Sequence, residues 1–276
     1  MTDIKYIESI ESWRKEREKN LALPHGWLAT AGLFWLQPGE NRMGTDSSNP
    51  IRLPVGAAPA NAAIFTLDAG NVSLKTAPGV KIILGGQPIT ETEIPIGDDS
   101  SEAIDLNDLK IFVLRRGERL GVRVFNPDNP NRLQFDGLDW FSVDQAYCLQ
   151  AQFIPFQERK SVEIVNLLGD IEPMECPGIV EFEFRGELFR LEPVVREDGR
   201  FWFMFCDRTN GVQTYKAGRY LFCDPPKDGL FTLDFNRAQN PPCAFTEFAT
   251  CPLPPVNNRL PIEILAGERK YSGPKG

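Results

Sequence analysis

From Trp27 onward the chain is cut into short apolar runs by glycine and proline, 23 of each in 276 residues. Proline removes a backbone donor and fixes φ, and glycine contributes no side chain to hold a helix together. Punctuation of this kind, at the intervals of a sandwich, predicts antiparallel β-structure. One stretch escapes it. Over residues 3–20, Ile4, Ile7, Ile10 and Trp13 recur at three-residue spacing ahead of the charged WRKEREKN. That pattern predicts a helix, with Thr2 or Asp3 as its cap and Pro24 and Gly26 closing the arm.

The fold class is therefore mainly β. An N-terminal helical arm (1–23) precedes a β-sandwich (24–125) built from WLATAGLFWL, IRLPV, AIFTL, NVSLK, VKIIL, LKIFVLRR and RLGVRVF. PGENRMG, DAGN, LGGQP and RRGE read as the turns between them. Segment 126–147 is a connector whose Phe135, Trp140 and Phe141 imply packing against a domain face. A second antiparallel domain, barrel-like or sandwich, occupies 148–276. In it IVEFEF alternates cleanly, RFWFMFC is apolar on both faces and so belongs at the centre of a sheet, and RYLFC, GLFTLDF and IEIL follow.

Composition excludes several functions. The net charge of -8 and the absence of a basic stripe argue against a nucleic-acid partner. No run has the length and apolarity of a signal peptide or a membrane span, so a soluble, cytoplasmic protein without a membrane partner is expected. In that compartment the six cysteines default to free thiols. None forms a CxxC pair, so no metal site is expected. The single histidine, His25 in LPHGWL, reads as a turn residue, and histidine-dependent chemistry has no other candidate. GGQP lacks the lysine and hydroxyl residue of a phosphate loop, and no dinucleotide fingerprint occurs, so no cofactor is expected. Glu263 and Glu268, which straddle the last apolar run, read as solvated surface.

Two resemblances attach to particular motifs. Residues 36–86 place Gly39, Gly44, Asn49, Ile51, Leu53 and Pro54 where the forkhead-associated (FHA) β-sandwich has its L-x-x-G-x-x-x-x-G-R…N-x-I-x-L-P pattern. The resemblance implies that fold but not phosphothreonine recognition. Thr45 stands where the family has arginine, PANAA where it has Ser-x-x-His, and Gly85–Gly86 where it has Asn-Gly. Arginine forks and hydroxyl donors are what read a phosphate. The second resemblance is carried by CDRTNGVQTYKAGRYL, LDFNRAQNPPCAF, CPLPP, NRLP and AGE, with HGWLATAGLFWLQPGEN near the start. These are similar to the family called domain of unknown function 1684, which implies a two-part β architecture and points to no established activity.

The stretch 234–260 holds five prolines, four asparagines, two cysteines and two arginines among aromatics. Its aromatics argue against disorder, and ordered loops of this length are usually functional. RFWFMFC and GLFTLDF end in polar clusters able to meet at the mouth of the second domain, a common place for a ligand. Asp207, Tyr215, Asp234 and Cys243 are the candidate catalytic groups. Thr209, Arg219, Asn236, Arg237 and Asn240 are the candidate ligand-binding groups. Two arginine forks favour a small anionic ligand, and any chemistry would be cofactor-independent hydrolysis or isomerisation. The same residues can instead form structural ion pairs and Asx turns. Cys243 and Cys251 can be buried packing thiols, a nucleophile and its neighbour, or a disulfide clamp. A function of another class is a protein-interaction module that uses the FHA-like sandwich independently of phosphate.

Overall fold

The structure, a computed structural model, describes residues 3–97 and 103–274. The protein is mainly β, with one long N-terminal helix, α1 (Ile4–Leu21). Asp3 caps it, its carboxylate accepting from the Lys5 amide at 3.0 Å; Thr2 lies outside the described residues. The chain divides into two compact units, one of residues 20–135, 246–249 and 274–276, the other of 1–19, 136–245 and 250–273.

The first unit is a two-sheet sandwich. Its strands are β1 (Thr30–Trp35), β2 (Gly39–Gly44), β3 (Ile51–Arg52), β4 (Ala63–Asp68), β5 (Asn71–Thr76), β6 (Ile82–Leu84), β7 (Gln87–Ile89), β8 (Glu91–Glu93), β9 (Ile104–Leu106), β10 (Leu109–Arg116) and β11 (Arg119–Phe125). One sheet runs β1-β11-β10-β9-β6-β7 and the other β3-β2-β4-β5-β8. A single apolar core, including Met43, Phe65, Leu74, Ile111 and Val122, fills the space between them. Gly85 and Gly86 both take positive φ in the two-residue β6–β7 turn, as a tight hairpin requires. PGENRMG is not a turn. Its Gly39–Gly44 portion is β2, flanked by β3 and β4. Asn41 is buried and bonds Gln37 and Gly39, so the turn chemistry precedes the strand, and Met43 fills the core.

The short helix α2 (Pro130–Leu133) belongs to the first unit; the second unit takes up the chain at Asp136 and also includes α1 up to Lys19. Its own strands are β12 (Cys148–Val165), β13 (Ile171–Phe184), β14 (Glu187–Leu191), β15 (Val194–Val195), β16 (Phe201–Phe205), β17 (Arg219–Cys223) and β18 (Leu230–Asp234). They form a sheet ordered β14-β13-β12-β18 and a smaller one ordered β15-β16-β17. Phe182, Phe203, Phe205, Phe231 and Phe235 interlock in the core the two sheets share. β16, the RFWFMF run, is central in its sheet, and both of its faces are covered. IEIL, expected as a strand, pairs with none. It joins no ladder, and its Ile264 carbonyl is taken by the side chain of Arg219.

Glu268 is fully buried, against the expectation of a solvated carboxylate. It accepts from Arg17 Nε at 2.8 Å and from the Asn240 amide at 2.7 Å. Burial is the larger influence and holds its carboxyl above the usual range, while Arg17 and the amide pull the other way. The folded protein therefore binds a proton over an interval in which the unfolded chain has released it. The stability that Glu268 contributes is fully present below about pH 4.5 and is lost as pH rises through the raised folded value. Urea denaturation of the wild type and of Glu268→Gln across this range should show a falling component in the wild type only. Parallel pH profiles would contradict it.

Candidate functional site

The polar groups singled out in the sequence fall in three places within the second unit. The first is a sealed cluster at the end of β16 and the start of β17. Arg219 is fully buried and pairs with Asp207 at 2.6 Å. Its other donors reach the carbonyls of Ala266 at 2.5 Å and Ile264 at 2.9 Å, and its guanidinium lies over the Phe205 ring. Asp207 also accepts from the Thr209 amide and hydroxyl, and Thr209 contacts Thr214. Tyr215 donates to the Cys243 carbonyl at 2.9 Å, and burial raises its phenol well above the ordinary range. Each of these groups faces protein, so the cluster builds the turn Asp207–Tyr215 and ties it to the chain near Ala266.

The second place is the junction of α1 with the loop after β18. Asn240 lies here, its amide on Glu268 and its side chain donating to the Arg269 carbonyl at 2.8 Å. Arg17 reaches both Glu268 and the Asn240 carbonyl. These contacts, too, are internal to the unit.

The third place opens to solvent. β18 delivers Asp234 to a 3-10 turn over Phe235–Arg237, where Asp234 caps the turn by accepting from the Asn236 amide at 3.1 Å. Tyr6 of α1 donates to the same carboxylate at 2.8 Å, and Asn236 donates to Tyr6 and to the Asp144 carbonyl. Cys148 sits directly across the ladder from Asp234. Arg237 lies at 3.6 Å from Asp234, with its side chain 37% exposed and its guanidinium over the Trp13 ring. That exposure separates it from Arg219, whose side chain is wholly covered.

Tyr6, Trp13, Cys148, Asp234 and Arg237 line a cleft of about 1010 Å³. Phe222 and the exposed cations Arg196, Arg200 and Lys227, with Asp224 and Asp228, also line it. Arg196 and Arg200 share Asp198 and both face the Phe222 ring. Burial, and then the Asp234 charge, raise the Cys148 thiol; burial and Asp234 likewise raise the Tyr6 phenol. Cys223, which also lines the cleft, is pushed up to about 12 by burial. All three keep their protons near neutral pH, so the cleft presents cations, aromatic faces and neutral donors rather than an activated nucleophile.

Of the nine candidates, Asp234 and Arg237 line the cleft, and the Asn236 side chain donates to the Asp234 carboxylate at 3.1 Å. Tyr6 and Trp13 carry no separate signal in the sequence, because they lie in the same helical stretch as the residues expected to pack. Arg196 and Arg200 flank the EDG turn, where charge is ordinary. His25 is exposed in a turn of the first unit. Among the described residues, no group of three or more histidine, cysteine or carboxylate residues is placed to hold a metal ion.

Residues 133–269 match the sequence model of a family described as protein of unknown function (DUF1684). The likeness expected from HGWLATAGLFWLQPGEN lies outside that span. No curated protein matches the sequence. An uncharacterised protein of Haloarcula marismortui, solved by NMR, is 32% identical over 50% of this chain and 79% of its own, with a TM-score of 0.43. The FhaA FHA domain, solved with the intracellular domain of Rv3910, is 17% identical over 33% of this chain and 96% of its own, with a TM-score of 0.25. An FHA domain from a study of phosphothreonine-dependent interactions is 16% identical over 34% of this chain and 92% of its own, again with a TM-score of 0.25.

Proposed function

We propose that the protein binds a small anionic ligand in the cleft of its second unit, with Arg237 as the principal grip. The supporting observation is the contrast between Arg219 and Arg237. Arg219 is enclosed by Asp207 and two carbonyls, whereas Arg237 is loosely paired, part-exposed, backed by Trp13 and open to a cleft of about 1010 Å³. An arginine fork suits a carboxylate or phosphate, and the Trp13 and Phe222 rings suit a flat apolar body. The protonated thiols and phenol favour binding over covalent catalysis. The N-terminal sandwich, FHA-like in this reading, has no part in it, since Thr45 occupies the arginine position of the phosphothreonine-reading pattern.

Thermal denaturation with inorganic phosphate, acetate, succinate and benzoate tests the proposal. Benzoate should raise the melting temperature of the wild type and leave Arg237→Gln unchanged. The substitution itself should cost little, because part-exposed ion pairs contribute about 0–1 kcal/mol. Equal stabilisation of both proteins by every anion, or stabilisation of neither, would remove the support.

A further inference from the structure

We propose that Cys243 and Cys251 are a redox-active dithiol, converted by a peroxide to an intramolecular disulfide. The Cys243 amide donates to the Cys251 sulfur at 3.1 Å. The two residues are thus in direct contact, and a disulfide forms only between neighbours of this kind. Their backbone is held from both sides. Tyr215 donates to the Cys243 carbonyl at 2.9 Å and Tyr220 to the Pro252 carbonyl at 2.6 Å. Pro241, Pro242 and Pro252 further limit the freedom of the loop. This preorganisation lowers the cost of closing the ring.

The two sulfurs have different access. Cys243 is half-buried and Cys251 is 4% exposed. Cys243 is therefore the attacking group and Cys251 the resolving one. The Cys243 sulfur attacks one oxygen of hydrogen peroxide, the O–O bond breaks, and water leaves once the thiol proton is transferred, giving a sulfenic acid. The Cys251 sulfur then attacks the Cys243 sulfur. The S–O bond breaks, the Cys251 proton goes to the departing hydroxide, and a second water forms. Both thiols are oxidised and the peroxide is reduced.

The bond would lock a strap that holds the β12–β13 turn. The Cys251 carbonyl accepts from the Leu167 amide at 3.0 Å, and the Leu253 amide donates to the Val165 carbonyl at 2.8 Å.

The test uses the full chain, reduced, exposed to one equivalent of hydrogen peroxide, alkylated and digested without reductant. The expected product is a linked peptide pair carrying Cys243 and Cys251, formed ahead of oxidation at the other four cysteines. In Cys251→Ser, dimedone should trap a sulfenic acid at Cys243; in Cys243→Ser, it should not label Cys251. Full alkylation of both thiols while other cysteines have oxidised would overturn the proposal, as would linkage of either to a different cysteine. The wild-type peptide map decides the matter even where a serine variant fails to fold.

Discussion

Arg219→Ala should cost about 3–5 kcal/mol of folding stability, enough to prevent folding of a marginal domain. The substitution strands the Asp207 carboxylate in a site where both side chains are fully covered, and it leaves the Ala266 and Ile264 carbonyls without their donor. It also opens a void against Phe205. Arg237→Ala, at the end of the 3-10 turn after β18, should cost about 0–1 kcal/mol, because that guanidinium is part-exposed and only loosely paired. Urea denaturation of the two variants side by side measures the difference. Equal losses would mean that the arginines share one role, and the division between structural cluster and ligand cleft would fail.

Gly267→Ala should be comparably severe, at about 3 kcal/mol. Gly267 has φ of +81°, and an added Cβ would lie 2.3 Å from the Ala238 carbonyl oxygen and 2.9 Å from that of Phe235. Both obstacles are backbone, so neither can swing aside. The residue sits between two that matter. The Ala266 carbonyl accepts from Arg219, and the Glu268 carboxylate holds Arg17 and the Asn240 amide. Gly199→Ala provides the control. Gly199 has φ of +77° with nothing within 4 Å of an added Cβ, so only the backbone penalty of about 1–2 kcal/mol remains. A thermal melt in which the two variants fall together would show that the close approach at Gly267 carries no weight.

The β class was legible because its signal is local. Alternation in IVEFEF and the two-sided apolarity of RFWFMF depend only on neighbouring residues. The strand at Gly39–Gly44 was not, since Glu40, Asn41 and Arg42 resemble turn residues until Asn41 is seen to bond backward to Gln37 and Gly39. IEIL has strand composition, yet its Ile264 carbonyl serves a guanidinium brought from β17, a contact separated by 45 residues. Sequence periodicity carries no record of such a partner.

The candidate site was legible in part for the same reason. Asp234 and Arg237 follow an apolar strand and flank an asparagine, which marks a polar turn. Which arginine is enclosed and which is open cannot be read there, because enclosure depends on Ile264 and Ala266 for one and on Trp13 for the other. Glu268 misleads in the same way. Its neighbours suggest a surface, while its partners Arg17 and Asn240 lie 251 and 28 positions away.

A ligand site in this cleft requires that Arg237 be available to an anion while Arg219 is not. The most direct measurement follows the Nε–H resonances of the two arginines by NMR in protein labelled with nitrogen-15, as benzoate is added. The Arg237 resonance should move and saturate, and the Arg219 resonance should stay fixed. An unmoved Arg237, or shifts at both arginines that grow in proportion to ionic strength without saturating, would contradict a ligand site in this cleft.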